Sequence, residues 1–238
     1  MAKKIENLAC ELCPSRKFSL FNEVSEEHLC RLTAEKNCVF HKKGQTLFYE
    51  GTRPMGLFCI NEGAVKVYKS TSNGKEQIIR LAKAGDFLGY RALLGEEHYA
   101  ASATILEDAK VCFIPKESFT RLLAADSNLY RKLMKSVCHE LGIMEEKVTE
   151  LSQKTVRERL AHTLLMLKET YGIDGDENSE KIDIALSRED MASIVGTATE
   201  TVIRLLSEFK NDGYISFEGK KIRILNAKAL IKTSDYYA

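Results

Sequence analysis

Glu200 and Arg204 stand four residues apart in "TATETVIRLLSEFK", a spacing that puts both on one face of a helix. In the DNA major groove a carboxylate accepts from the exocyclic amine of cytosine, and an arginine fork binds the two acceptors on a guanine edge. Thr199 and Ile203 share that face, so Thr199, Glu200, Ile203 and Arg204 form a candidate base-reading set. On that face Glu200 and Arg204 can also hold each other in position. A glutamate among phosphates needs compensation, and "SFEGKKIRI" supplies it as a basic hairpin, with Lys220, Lys221 and Arg223 beside Gly219. Ser187, Arg188 and Thr201, at the starts of the two helices that flank Gly196, are further candidate contacts to the DNA backbone. Seven basic residues face four acidic ones between Thr197 and Lys232, although the whole chain has a net charge of only +1. Contact with a polyanion must therefore be local. An isolated Glu–Arg pair would be a surface salt bridge of about 0.3–0.5 kcal/mol. Its place inside a two-helix pattern makes sequence reading the expectation.

The seven cysteines are odd in number and scattered, which is no disulfide framework and fits a reducing compartment. Three readings stay open for Cys10 and Cys13: ligands of a cluster, a redox-active or metal-binding pair, or plain reduced thiols. Cys59 and Cys112 fall in strand-like runs, where burial as small hydrophobes is common. The five histidines, at 28, 41, 98, 139 and 162, show no metal-ligand spacing. A cupin-like metal enzyme would need clustered histidines and a carboxylate on neighbouring strands, so an enzyme is not expected.

The elements that must position these residues follow from pattern. "Met191, Ile194, Val195", then Gly196, then Val202, Leu205, Leu206 and Phe209 describe a short helix, a glycine turn and a second helix packed on the first, the helix-turn-helix signature. Before it, Thr155–Glu158 form a capping box that opens a helix ended by Gly172, and an acidic loop covers 174–181. From Asp126 to Leu151 one long helix carries Tyr130, Met134, Val137, Leu141, Met144, Val148 and Leu151 at alternating spacings of four and three. Such a strict 3.5 period predicts a seam between two subunits. From Val39 to Pro115, short alternating runs punctuated by glycines, with a hairpin at 72–75, predict an antiparallel β sandwich or small barrel. The expected organisation is an N-terminal segment with the Cys-x-x-Cys pair (1–24), a sensing β domain (25–125), a dimerisation helix (126–152) and a DNA-binding domain (153–238). No run of about 18 apolar residues exists, and the N-terminus has no signal-like apolar core, so a cytoplasmic chain away from membranes is expected.

Three stretches, "GQTLFYEGTRPMGLFCINEGAVKVY", "GKEQIIRLAKAGDFLGY" and "LSREDMASIVGTATETVIRLLSEFKNDGYISFEGKKIRILN", resemble the Crp/Fnr family of bacterial transcription regulators over nearly the whole chain. The resemblance implies an α+β architecture: an N-terminal antiparallel jelly roll like a cyclic-nucleotide-binding domain, a long dimerisation helix and a C-terminal winged helix-turn-helix. It implies a homodimer that binds double-stranded DNA at a palindrome of TGA-type half-sites, with RNA polymerase as a second partner and a small-molecule effector of unknown identity. The effector pocket would lie at Gly89, Tyr90, Arg91, Ser102 and Ala103. There the family's cyclic-AMP-binding type has a ribose-binding glutamate and an Arg-Ser pair, whereas this chain reads Tyr90 and Ala101–Ser102, so cyclic AMP is not expected. Cys10, Cys13 and Cys112 match three of the four iron–sulfur ligands of the oxygen-sensing type. The fourth is missing, its place falling near Phe18 and Ser19, and Cys30 or Cys38 would have to move to supply it.

Overall fold

The computed structural model describes residues 3–4, 9–172, 181–182, 184–219 and 221–234. Two compact units divide the chain, Met1–Leu141 and Gly142–Ala238. In the first, the short strand β1 (Lys3–Lys4) precedes three 3-10 turns (Cys10–Leu12, Pro14–Phe18, Leu20–Glu23) and helix α1 (Glu26–Glu35). Strands β2 (Asn37–His41), β3 (Thr46–Phe48), β4 (Gly56–Ser70), β5 (Glu76–Ala82) and β6 (Phe87–Leu88) follow, then α2 (Tyr90–Leu94), β7 (Ser102–Pro115), α3 (Lys116–Ala125) and α4 (Ser127–Gln153). The division between units falls inside α4.

The strands form one antiparallel sheet in the order β1-β2-β7-β4-β5, with β3 added to β7 and β6 to β4. Long β7 is its spine: it pairs along most of its length with β4, and on its other edge with β3 and then β2. Register slips between Ile60 and Val65 bend the β4–β7 ladder. Gly63 sits there at φ +90°, where a Cβ would stand 2.4 Å from the carbonyl oxygen of Asp108, so only glycine fits the bend. Apolar side chains of alternate strand positions fill the roll, Ile60, Val65, Ala103 and Ile105 among them. A second core packs Leu29 and Leu32 of α1, Phe119 and Leu122 of α3, and Leu129 and Leu133 of α4.

The second unit holds α5 (Val156–Tyr171), β8 (Lys181–Ile182), α6 (Arg188–Val195), α7 (Thr199–Asn211), β9 (Ile215–Glu218), β10 (Lys221–Ile224) and α8 (Ala227–Ser234). The expected capping box opens α5: Thr155 accepts from Glu158 N–H while the Glu158 side chain accepts from Thr155 N–H. Strands β8, β10 and β9 make a three-stranded antiparallel sheet beside the helices. Apolar stripes of α5, α6 and α7 bury Leu160, Leu164, Met191, Val202 and Phe209 as this unit's core. The acidic loop lies almost wholly outside the described residues, as does Lys220 of the hairpin.

One expectation fails at the level of the fold. Cys38 and Cys112 are joined by a disulfide, 74 residues apart in sequence, because β2 and β7 place them directly opposite each other. The sequence spacing carries no trace of that register.

Candidate functional site

The helix-turn-helix is built from local signals. Ser187 Oγ accepts from Asp190 N at 2.9 Å and the Asp190 side chain accepts from Ser187 N at 3.3 Å, a reciprocal cap that starts α6. Gly196 ends it in the left-handed region at φ +73°. From α5, Arg159 donates to the carbonyls of Val195 and Gly196 at 3.0 and 3.3 Å, which fixes the turn between the two helices. Helix α7 buries Val202, Leu205, Leu206 and Phe209 and turns the other face outward. Glu200 and Arg204 are exposed there, Ile203 is 48% exposed, and Thr199 and Thr201 are half-buried. A large apolar residue left in water on such a face is suited to contact a thymine methyl.

Arg204 takes a different partner from the expected one. Its Nη1 donates to Glu208 Oε1 at 2.5 Å, not to Glu200. Glu208 is the pre-placed carboxylate, because its Oε2 accepts from Arg157 Nη1 of α5 at 2.6 Å. Arg157 is itself anchored, by Asp212 at 3.0 Å and by stacking over the Phe209 ring at 4.7 Å. One carboxylate thus bridges Arg204 to α5. Replacing it in Glu208→Gln removes a negative charge from α7 and releases the Arg204 guanidinium. The expected result is non-specific DNA binding tighter by about 0.3–1 kcal/mol at low salt, with weaker base preference if Arg204 reads a base, measured by titration of matched and mismatched duplexes.

The wing is the β9–β10 hairpin, with Lys221 opposite Glu218 and Gly219 at φ +62° in its turn. Arg223 bonds Glu218 at 2.7 Å, so its charge is partly compensated. Arg188 lies over the Phe217 ring at 4.7 Å, and burial lowers its pKa from the ordinary value. Helix α6 and the wing are thereby tied together at the edge where phosphates would lie.

Of the five effector-pocket residues, Tyr90 lines a cavity. Ala103 is fully buried, and the buried Ser102 hydroxyl accepts from Glu50 N at 2.9 Å. Gly89 stands against Tyr99, Arg91 is exposed, and the Phe48 and Tyr99 rings stack 4.0 Å apart inside the roll. Both rings belong to the buried core of the roll. Tyr90 instead donates its hydroxyl to Glu140 of α4, which also binds Arg80 at 2.7 Å. Burial, then Glu140, pushes the Tyr90 hydroxyl well above its usual pKa. A cavity of about 330 Å³ lies beside this network, also lined by Phe18, Asp86, Lys132 and Lys135.

The cysteines converge more than their spacing suggests. Cys10, Cys13, Cys59 and Cys112 line one small cavity of about 40 Å³, together with Arg16 and Lys36. Cys59 of β4 is the register partner of Cys112, on the side away from Cys38. Burial raises the Cys59 thiol well above its ordinary pKa, and nearby Cys10 and Cys13 raise it further against the opposing pull of Lys36. Cys30 and Cys138 are exposed, and neither lines the cavity. Among the described residues no group of three or more His, Cys, Asp or Glu is arranged to hold a metal ion. An iron–sulfur cluster takes four cysteine thiolates. Of the four cysteines around the cavity, Cys112 is held in the disulfide with Cys38, so the free thiols there do not reach that number and do not fit a cluster; Cys59 is the member that sequence reasoning passed over. The strand alternation of "GLFCI" was the one available signal, since it could have placed Cys59 inward.

Along α4, Leu129 and Leu133 are buried while the predicted seam faces outward. Leu141 is 60% and Val148 67% exposed; Tyr130, Met134 and Leu151 are exposed, and Met144 is half-buried. Val137 differs, packing partly against the core of the first unit. Among the described residues no helix is long and apolar enough to cross a membrane.

A rolled antiparallel sheet, a long helix and a winged helix-turn-helix together define a class of DNA-binding regulators with an attached sensor domain. A family profile described as "Cyclic nucleotide-binding domain" matches residues 38–126, and one described as "Crp-like helix-turn-helix domain" matches residues 158–233. The chain is 33% identical to the fumarate and nitrate reduction regulatory protein of Escherichia coli strain K12 over 195 residues, 82% of this chain and 77% of that one. It is 31% identical to the protein of that name from Vibrio cholerae over 238 residues, covering 97% and 94% of the two chains. In fold it is similar to FixK2 from Bradyrhizobium japonicum, with a TM-score of 0.73 at 24% identity over 83% of this chain and 96% of that one. The chain belongs to the Crp/Fnr family and is a transcription regulator of that DNA-binding type.

Proposed function

We propose that the chain acts as a homodimer paired along the outward row of α4 and reads a palindrome of TGA-type half-sites, one half-site per α7. The observation that carries this reading is α7 itself. Its apolar stripe is spent on the core, while Glu200, Ile203 and Arg204 project from the opposite face. Arg204 reads guanine, Glu200 reads cytosine, and Thr199 and Ile203 set the remaining preference. Ser187, Arg188, Thr201 and the wing lysines Lys220 and Lys221 hold the backbone, which fixes register without reading sequence. RNA polymerase is the second protein partner, and a soluble cytoplasmic setting follows from both partners.

The signal enters through thiols and not through a cyclic nucleotide. Two features support this: the roll's interior is filled by Phe48 and Tyr99, and Cys10, Cys13 and Cys112 meet at one cavity. The chain's own part is to hold the thiols at the junction of the N-terminal turns and the roll.

Selection from random duplexes with the full-length chain tests the DNA reading. Enrichment of a two-fold symmetric site whose half-sites are centred about 10 base pairs apart is expected. Recovery of no preferred sequence, or of a single asymmetric half-site, overturns it.

A further inference from the structure

Phe217 of β9 has cations from two other elements over its ring: the Arg188 guanidinium of α6 at 4.7 Å and the Lys210 ammonium of α7 at 5.9 Å. Strand alternation puts Phe217 on the same face of β9 as the buried Ile215, so its ring extends that face from the core to the edge where α6 begins and α7 ends. Among the described residues neither cation has a carboxylate partner. Other arginines of this unit do: Arg157 and Arg204 bond Glu208, and Arg223 bonds Glu218. Two like charges drawn to one ring repel each other, and the ring offsets only part of what burial costs the half-buried Arg188. Arg188 is moreover the first residue of α6, where the helix dipole is already positive. Lys210, in the last turn of α7, is favoured by that helix's dipole, but not by standing near a second cation. The fold gains little from this arrangement, whereas an anion beside both charges would remove its cost.

Resting on the DNA reading above, we propose that Lys210 is a further contact to the DNA backbone and that Phe217 positions it together with Arg188, the pair seating one phosphate in each half-site. The ring acts through the two cations. Its face holds them at the edge of the unit, so fewer rotamers are left to freeze on binding. No base is read here, because a phosphate carries the same charge in every sequence. The platform therefore adds strength and salt dependence to binding, and specificity comes from α7.

The test measures the affinity of the full-length chain for the selected palindrome, and for a duplex lacking it, over a range of salt concentrations. Lys210→Gln is expected to weaken both duplexes alike and to make the slope of log affinity against log salt shallower by about one per half-site. Phe217→Leu keeps an apolar side chain in the wing but removes the ring face. It should weaken both duplexes by roughly two- to fivefold per half-site at low salt, and Phe217→Tyr, which restores the face, should recover that loss. In a chain that already carries Arg188→Gln and Lys210→Gln, Phe217→Leu should have no further effect. Neutral methylphosphonates placed one at a time along the palindrome locate the phosphate: of the positions that weaken the wild-type chain, one in each half-site should lose its effect in the Arg188→Gln, Lys210→Gln chain. An unchanged salt slope in Lys210→Gln overturns the assignment of Lys210. A Phe217→Leu loss that Phe217→Tyr does not recover, or that persists when both cations are gone, makes Phe217 a packing residue and overturns its positioning role. Either result leaves the DNA reading standing, since the wild-type chain still prefers its palindrome. A wild-type chain with no preferred sequence overturns that reading instead, and the slopes on the second duplex then decide the platform by themselves.

Discussion

Arg204→Ala is expected to weaken binding to the selected palindrome by about 1–3 kcal/mol per half-site and to abolish discrimination at one base pair in each half. The size follows from geometry. A guanidinium offers a guanine edge two parallel donors, and alanine offers none. Arg204 also carries positive charge, so part of the loss would appear on any sequence. Competition titrations separate the two: the base-specific part is the difference between a site with guanine and one with 7-deazaguanine at the contacted position. That difference should be large for the wild-type chain and vanish for Arg204→Ala. The fold itself should be unaffected, because Arg204 is exposed and the residues that pack α7 are its neighbours on the other face. An unchanged 7-deazaguanine effect would remove Arg204 from the base-reading set.

The reason α7 was legible in the sequence is that its signals are short-range. Val202, Leu205, Leu206 and Phe209 repeat at helical spacing, Gly196 marks the turn, and Ser187 with Asp190 marks the start, so each residue's surroundings lie within about two turns of chain. All four apolar residues are buried and both caps form. Glu208 illustrates where such reasoning stops. Glu200 and Glu208 both stand four residues from Arg204, one on each side, and local spacing cannot choose between them. The choice is made by Arg157, 51 residues before Glu208, which already holds that carboxylate.

The thiol site was hidden for the same physical reason. Strand pairing brings Cys38 and Cys59 to opposite sides of Cys112, and register between strands so far apart depends on every turn between them. Counting cysteines and measuring their spacing found Cys10 and Cys13, whose proximity is local, and passed over Cys59. The filled interior of the roll is a similar case. Departures at Tyr90 and Ala101 argued against a cyclic nucleotide, but the stack of Phe48 on Tyr99 inside the roll is a contact across 51 residues. What the sequence could read was the loss of a phosphate partner; what it could not read was the replacement.

The double change Leu141→Glu and Val148→Glu is expected to turn the dimer into a monomer and to cut affinity for the full palindrome by roughly two to four orders of magnitude. Both side chains are mostly exposed in a single chain, at 60% and 67%, so a lone chain gains two solvated carboxylates and loses little packing. In a pair of α4 helices the same positions would face their copies seven residues apart along one seam, where burying four like charges is prohibitive. The effect on DNA is indirect and larger than that of any one contact. A dimer that has docked one α7 presents the other at high effective concentration to the second half-site, and a monomer must find each half-site anew. Sedimentation should therefore report the halved mass, and a duplex with one half-site should bind the variant and wild-type α7 alike. A variant that stays dimeric and keeps its palindrome affinity would place the subunit contact elsewhere. Glu140, held by Tyr90 and Arg80, immediately precedes Leu141 of the outward row on α4, so a change in the roll that alters this anchor acts next to that row.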